Sequence, residues 1–217
     1  MKRLKKRQSG FTLVEIAIVL VIIGLLLGGV LKGQELITQA KITNITNDIN
    51  GYISAIYAYQ DRYKVLPGSD RGSGRWKLGT KETMKAGSGG YTLTGVYSDT
   101  EGKTDSSLLW ADLRLAGFIV GPTATLADAV TLPVHAAGGI VGAQQAPLGL
   151  AGLAVCAGNL PAKIAQAIDA KLDDGDATSG TVRAFLEATV PTAVTADRPL
   201  AAYDLVDGKV YVLCKSI

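Results

Sequence analysis

A single histidine, His135, stands in a chain of 217 residues. That scarcity excludes a catalytic triad built on histidine and any metal centre needing several imidazoles, and it leaves His135 a structural role. The patterns H-E-x-x-H, C-x-x-C and G-x-S-x-G are all missing. The chain therefore offers no zinc-peptidase helix, no closely paired redox thiols and no nucleophile elbow. Glu101-Gly102-Lys103-Thr104 imitates the end of a phosphate-binding loop, but Tyr97 stands where its first glycine is required. With no nucleophile–base pair visible, neither catalysis nor a cofactor is expected. Aromatic residues are also few, at 6%, whereas glycine is abundant at 26. This composition suits a small head with many turns, and the length suits one domain plus a long helix.

What is present begins at the amino terminus. From Phe11 to Leu31 only Thr12 and Glu15 are polar. At about 1.5 Å per residue this run covers roughly 30 Å as a helix, the thickness of a bilayer core. Lys2, Arg3, Lys5, Lys6 and Arg7 precede it, and a basic cluster of this kind stays on the cytoplasmic side, so the remainder points outward. The run exceeds the apolar core of a cleavable signal peptide, and no A-x-A site follows it directly. Glu15 is what a plain anchor leaves unexplained. A carboxylate at the centre of a bilayer costs about 2.5–3.5 kcal/mol, less near an end, and by default it marks function with a partner. The segment itself offers no cation.

These residues resemble the type IV pilin and pseudopilin family. The likeness rests on Lys5-Lys6-Arg7-Gln8-Ser9-Gly10, then Phe11-Thr12-Leu13-Val14-Glu15, then the apolar stretch. It is sharp over residues 5–35 and looser beyond. The resemblance implies cutting between Gly10 and Phe11 by a prepilin peptidase, with N-methylation of Phe11. Glu15 would face the amino terminus of a neighbouring subunit during assembly. It implies a structural subunit, minor-pilin-like, of a type IV pilus-type filament. A pseudopilin of a type II secretion system would share every feature, and a tip adhesin or DNA-binding pilin stays open. The implied partners are the peptidase, other pilin or pseudopilin subunits, and inner-membrane lipid before assembly. The protein would first cross the inner membrane once, with its head extracytoplasmic, and then join a periplasmic or cell-surface filament. Cutting would remove five of the 22 basic residues and no acid, leaving 17 basic against 19 acidic groups. The basic pI is thus no sign of nucleic-acid binding, which is not expected.

Beyond Lys32, Ile42, Ile45, Ile49, Tyr52, Ile56, Tyr59 and Tyr63 recur at steps of three and four. The spacing predicts one helix to about Tyr63, ended by Pro67-Gly68. Its seam would lie on a globular head or pair with another helix. Residues 1–10 then form a leader, 11–65 a long helix with 11–31 its membrane and assembly part, and 66–217 the head. Within the head, Tyr91–Tyr97 alternates like a strand and Ser106–Ala116 reads as a helix stopped by Gly117. Phe118–Gly121 could begin a strand, and Val134–Val141 and Leu148–Cys156 fit buried strands. Asn159-Leu160-Pro161 would open a helix running through Leu172, and Thr181–Leu186 reads as a further strand. Tyr203–Val206 and Lys209–Cys214 flank Asp207-Gly208 as a hairpin. Cys156 and Cys214, outside the cytoplasm, are expected to form a disulfide, the alternative being two buried thiols. The whole is expected to be α+β and pilin-like, the long helix packed on a mostly antiparallel sheet.

Two further clusters carry candidate chemistry. Arg71, Arg75, Lys77, Lys81 and Lys85 lie around Trp76, which could track phosphates but reads first as a solvated loop. Asp173, Asp174 and Asp176 begin like a calcium loop. Phe185 stands where a closing glutamate belongs, so a helix-ending turn is favoured and no metal is expected.

Overall fold

The computed structural model describes residues 12–79, 82–187, 200, 202–206 and 208–217, with Glu82 by its backbone. The leader, Gly10 and Phe11 lie outside the described residues, as do Lys81 and Asp207. Helix α1 runs unbroken over Leu13–Tyr63. Two units divide the chain, Met1–Ala40 and Lys41–Ile217.

In the first unit, every residue from Thr12 to Lys32 is exposed, including Leu13, Ile18, Leu25 and Leu31. The helix is long and apolar enough to cross a membrane.

The second unit is an α+β head, and its core starts on the remaining part of α1. Ile42, Ile45, Ile49, Ile56 and Tyr59 are buried, while Tyr52 and Tyr63 pack at the margin. Spacing of three and four residues places all of them on one helix face. They meet the sheet formed by β3 (Val141–Gln145), β4 (Leu153–Pro161), β5 (Val182–Leu186) and β6 (Val210–Ser216), in the order β3-β4-β6-β5 with every pair antiparallel. Alternation along each strand sorts side chains to two faces. Val155, Ala157, Val182, Ala184, Tyr211 and Leu213 join the α1 seam. Ala154, Cys156, Phe185, Val212 and Cys214 face the other way, onto Tyr97, Leu148 and Leu150. Cys156 and Cys214 stand directly opposite each other on β4 and β6 and are joined by a disulfide, both wholly buried.

Helix α2 (Asp105–Leu115) buries Leu109, Trp110 and Leu113 in the main core. Its Leu108 and Ala111 enter a satellite cluster with Leu78, Met84 and Val130. Around that cluster lie the short pair β1 (Lys77–Leu78) and β2 (Glu82–Thr83) and the single turn α3 (Leu126–Ala129). Helix α4 (Ala162–Leu172) adds Ile164, Ala165 and Ile168 to the main core.

Several local expectations fail, each because backbone groups bond elsewhere. Tyr91–Tyr97 is irregular: the amides of Thr94, Val96 and Tyr97 donate to the side chains of Asp105, Asp99 and Gln144, and Gly95 sits at φ +97°. Phe118–Gly121 is no strand, because the amides of Phe118 and Ile119 return to the Leu113 carbonyl beyond Gly117 at φ +80°. Val134–Ile140 folds as a turn, with the His135 amide bonded to the Gly139 carbonyl and Val134 bridging to Ile140, and the strand begins only at Val141. Pro147–Gly149 is a 3₁₀ turn, so the strand expected from Leu148 begins at Leu153. Asn159-Leu160-Pro161 ends β4, with a bulge at Asn159 (φ +54°), and the helix begins at Ala162. Tyr203–Val206 forms no strand, because Asp204 accepts from Lys209 and Val206 while Tyr203 reaches across to Asp169. β6 pairs instead with β4 and β5.

Candidate functional site

The amino-terminal site is built on the first turn of α1. Thr12 precedes the helix, and Glu15 lies three residues on. The Thr12 amide and hydroxyl each donate to Glu15 Oε2 at 2.8 Å, while the Glu15 amide donates to Thr12 Oγ1 at 3.3 Å. This is a reciprocal capping box, which satisfies helix-end donors that would otherwise be orphaned. Reading Glu15 only as a carboxylate without a cation overlooked it, although Thr12-Leu13-Val14-Glu15 spells the motif. The partners are hydrogen-bond donors without charge, so the negative charge itself stays unneutralised by them. Behind Glu15, Val14, Ala17, Ile18, Val21 and Ile22 line a shallow, wholly apolar groove along the helix surface.

Residues 5–31 match the family model described as the prokaryotic N-terminal methylation motif. The chain carries a type IV prepilin-type signal. The match spans the basic segment, the Gly10–Phe11 junction, Glu15 and the apolar run to Leu31. No curated protein and no solved structure matches the chain. The prepilin-type signal is that of pilin-like and pseudopilin structural proteins, anchored in a membrane before assembly. It implies in general a processing peptidase and assembly with other subunits. Its company here is an α+β architecture consistent with a pilin-like fold, a long apolar helix followed by a four-stranded antiparallel sheet.

In the head, the basic residues around Trp76 are largely engaged by the protein's own groups. Arg75 Nη2 donates to Asp70 Oδ2 and to Tyr59 Oη, and its guanidinium stacks over Tyr63 and Trp76, 4.4 and 4.9 Å from the ring centres. Arg71 Nε donates to the Ser88 carbonyl, and Lys77 Nζ to Thr83 Oγ1. These contacts make the loop a staple against the end of α1. Three buried aspartates, Asp70, Asp105 and Asp112, fix it. Asp105 accepts from the amides and hydroxyls of both Ser88 and Thr94. Burial opposes its charge, yet those hydrogen bonds outweigh burial and hold its carboxyl below the usual range. Asp70 is likewise held low against burial, by Arg75, Tyr59 and the Gly72 amide. Asp112 is wholly buried, accepting from the Gly68 amide at 2.7 Å and Ser73 Oγ at 2.8 Å, and burial pushes it up to about 7. For two of them the sequence holds a signal, Asp70 behind Pro67-Gly68 and Asp105 at a helix start, whereas Asp112 sits mid-helix with none.

His135 is buried, with Nε2 2.8 Å from the Gly158 carbonyl and Nδ1 accepting from the Ala137 amide. Those bonds specify the tautomer protonated at Nε2. Burial lowers its pKa.

Asp169, Asp173 and Asp174 bring one oxygen each within 4.8 Å of one another and are the residues that could hold a cation. Asp169, at the buried end of α4, takes the place beside them that Asp176 was expected to fill. The same carboxylates also close the turn. Asp173 Oδ2 accepts from the amides of Thr181 and Val182, Asp174 from Ser179 Oγ, and Asp169 from Tyr203 Oη at 2.7 Å. Asp176 is turned to Thr178, accepting from its amide and hydroxyl.

Proposed function

We propose that the protein is a minor-pilin-like structural subunit of a type IV pilus-type filament, with no catalysis of its own. The observation that carries this reading is the match of residues 5–31 to the methylation motif. In this reading residues 1–10 are a leader, cut between Gly10 and Phe11 by a prepilin peptidase that also methylates Phe11. Residues 11–31 cross the inner membrane before assembly, and 66–217 form an extracytoplasmic head. Polymerisation transfers the exposed apolar surface of residues 13–31 from lipid to the same surface of neighbouring subunits.

Glu15 supplies the register in this scheme. Thr12 satisfies two lone-pair sites of its carboxylate but leaves the charge, which the new amino terminus of an adjacent subunit can neutralise. A pseudopilin of a type II secretion system uses the same signal and is the second reading. A DNA-binding tip subunit draws less support, since Arg71 and Arg75 are spent inside the loop.

Glu15→Ala is expected to leave export and processing intact and to lower the filament-incorporated fraction by about tenfold or more, given a cost of about 2.5–3.5 kcal/mol for an unneutralised carboxylate in lipid. Fractionation of sheared filaments measures this, and normal incorporation would remove Glu15 from assembly. Mass spectrometry of the mature amino terminus tests the reading as a whole. A methylated phenylalanine is expected; an intact leader overturns it.

A further inference from the structure

The hydrogen bonds around Ser73 can all be made in only one protonation state of Asp112. Ser73 Oγ is buried, 2.9 Å from the Asp70 carbonyl oxygen and 2.8 Å from Asp112 Oδ1. A hydroxyl has one proton to donate, and a carbonyl oxygen can only accept. Both contacts are hydrogen bonds at once only if Asp112 supplies the second proton. Its other oxygen, Oδ2, accepts from the Gly68 amide at 2.7 Å, so the carboxyl proton belongs on Oδ1. The bonds then run one way, from Asp112 to Ser73 and from Ser73 to the Asp70 carbonyl. That carbonyl also receives the Gly87 amide at 2.9 Å, which joins the two ends of the loop. Gly68 is pressed against α2: at φ +84°, a Cβ there would fall 2.1 Å from the Asp105 carbonyl oxygen.

Ionising Asp112 upsets this arrangement. Ser73 must then turn its proton to Oδ1, and the Asp70 carbonyl loses that donor. The new charge is 0% exposed, and the neighbouring Asp70 carboxylate repels it. Arg75 faces it, but that guanidinium is already bonded to Asp70 and to Tyr59. Tyr59 faces it from α1, while Arg114 on its own helix is turned to the Ala129 carbonyl. A buried charge without a free counter-charge is relieved by admitting water. Ser73 stands over Oδ1, on the 3₁₀ turn Arg71–Arg75, so water reaches the carboxylate where that turn lifts. We propose that the Asp112–Ser73 contact is a proton-operated latch: the protonated carboxyl holds residues 68–75 against α2, and its ionisation lets them lift from the helix. Burial raises the Asp112 carboxyl to about 7, so the latch is closed in mild acid and opens as pH rises through neutrality. Asp70 keeps the lifted segment tied to α1 through Tyr59, which makes the opening local. This goes beyond the filament role and stands independently of it.

The test is hydrogen exchange of the full-length protein in detergent micelles, read by mass spectrometry of peptides at about pH 5.5 and about pH 8.5 and corrected for the intrinsic pH dependence of amide exchange. Peptides over residues 68–76 are expected to lose protection about fivefold or more at the higher pH, while peptides over β4 and β6 keep theirs. Asp112→Asn should keep that segment protected at both pH values, because its amide nitrogen donates to Ser73 whatever the pH. Ser73→Ala should leave it poorly protected at both, since the Asp112 proton then lacks its acceptor and the Asp70 carbonyl its donor. Constant protection in the parent overturns the proposal. So does a fall with pH that persists in Asp112→Asn or in Ser73→Ala, which would place the switch elsewhere. A fall shared equally by β4 and β6 overturns it as well, because the whole head would then be loosening.

Discussion

Replacing both cysteines, Cys156→Ala with Cys214→Ala, is expected to lower the melting temperature of the head by about 10 °C. The bond links residues 58 apart, and closing a loop of that size restricts the unfolded chain by on the order of 4 kcal/mol in the chain-entropy model. For a protein of this size, each kcal/mol corresponds to about 2–4 °C. The folded side of the balance adds to the loss. Both sulfurs are wholly buried between Tyr97, Leu148, Phe185 and Val212, and alanine leaves part of that volume empty. Both tryptophans, Trp76 and Trp110, lie in the head, so fluorescence melting reports on this unit. Unchanged melting of the double variant would show that the strand pairing of β4 with β6 needs no covalent tie. Because the bond is buried, mild reductant applied to the native chain should leave it intact, and thiol labelling before and after unfolding measures that.

Asp112→Asn is expected to change the pH dependence of stability and to stabilise the head at neutral pH. The Asp112 carboxyl is raised from 3.8 to about 7 by burial. The groups that face it are the Gly68 amide, Ser73, Asp70, Arg75 and Tyr59. Two of its hydrogen bonds and the Arg75 charge favour ionisation, but burial and the nearby Asp70 charge win. A carboxyl raised on folding keeps its proton in the native state while the unfolded chain releases it. Its contribution is therefore fully present below pH 4 and is lost as pH rises from about 4 to 7, on the order of 4 kcal/mol in all. The amide of asparagine resembles the protonated acid: its oxygen accepts from the Gly68 amide, and its nitrogen donates to Ser73 Oγ. The difference in melting temperature between variant and parent should thus grow from pH 4 to pH 7 and then level off. His135 shifts in the opposite sense. Its lowered pKa makes its contribution fade as pH falls below 6.5, but it is common to both proteins and cancels in the difference. A difference that stays constant with pH would mean that Asp112 is ionised throughout.

Much of the architecture was legible in residue order. The apolar run ahead of Lys32 and the isoleucine–tyrosine seam are periodic over many turns, and periodicity is averaged over enough residues to survive local disturbance. The same holds for the alternating residues of β5 and β6 and for the pattern of α2. Short segments whose backbone amides are taken by side chains or turns fared worse. Tyr91–Tyr97 alternates as a strand should, yet its amides bond to Asp105, Asp99 and Gln144, whose positions depend on helix packing and on β3. The hairpin read around Asp207-Gly208 fails in its first arm, since Tyr203 is drawn away to Asp169 and β6 pairs with β4 and β5.

The candidate sites divide in the same way. Gly10, Phe11 and Glu15 are read directly from the chain, because a processing signal is recognised as a linear segment and Thr12 caps Glu15 from three residues away. Amino-acid order alone thus determined the membrane-length helix, its signal and the helix face that enters the core. Tertiary structure decided what order could not. It placed Cys156 opposite Cys214, drove Asp112 into a pocket without solvent, and set Ser73 between Asp112 and the Asp70 carbonyl. The physical reason is range: capping and amphipathic periodicity act within a few residues, whereas desolvation and cross-strand register depend on groups brought together from distant parts of the chain.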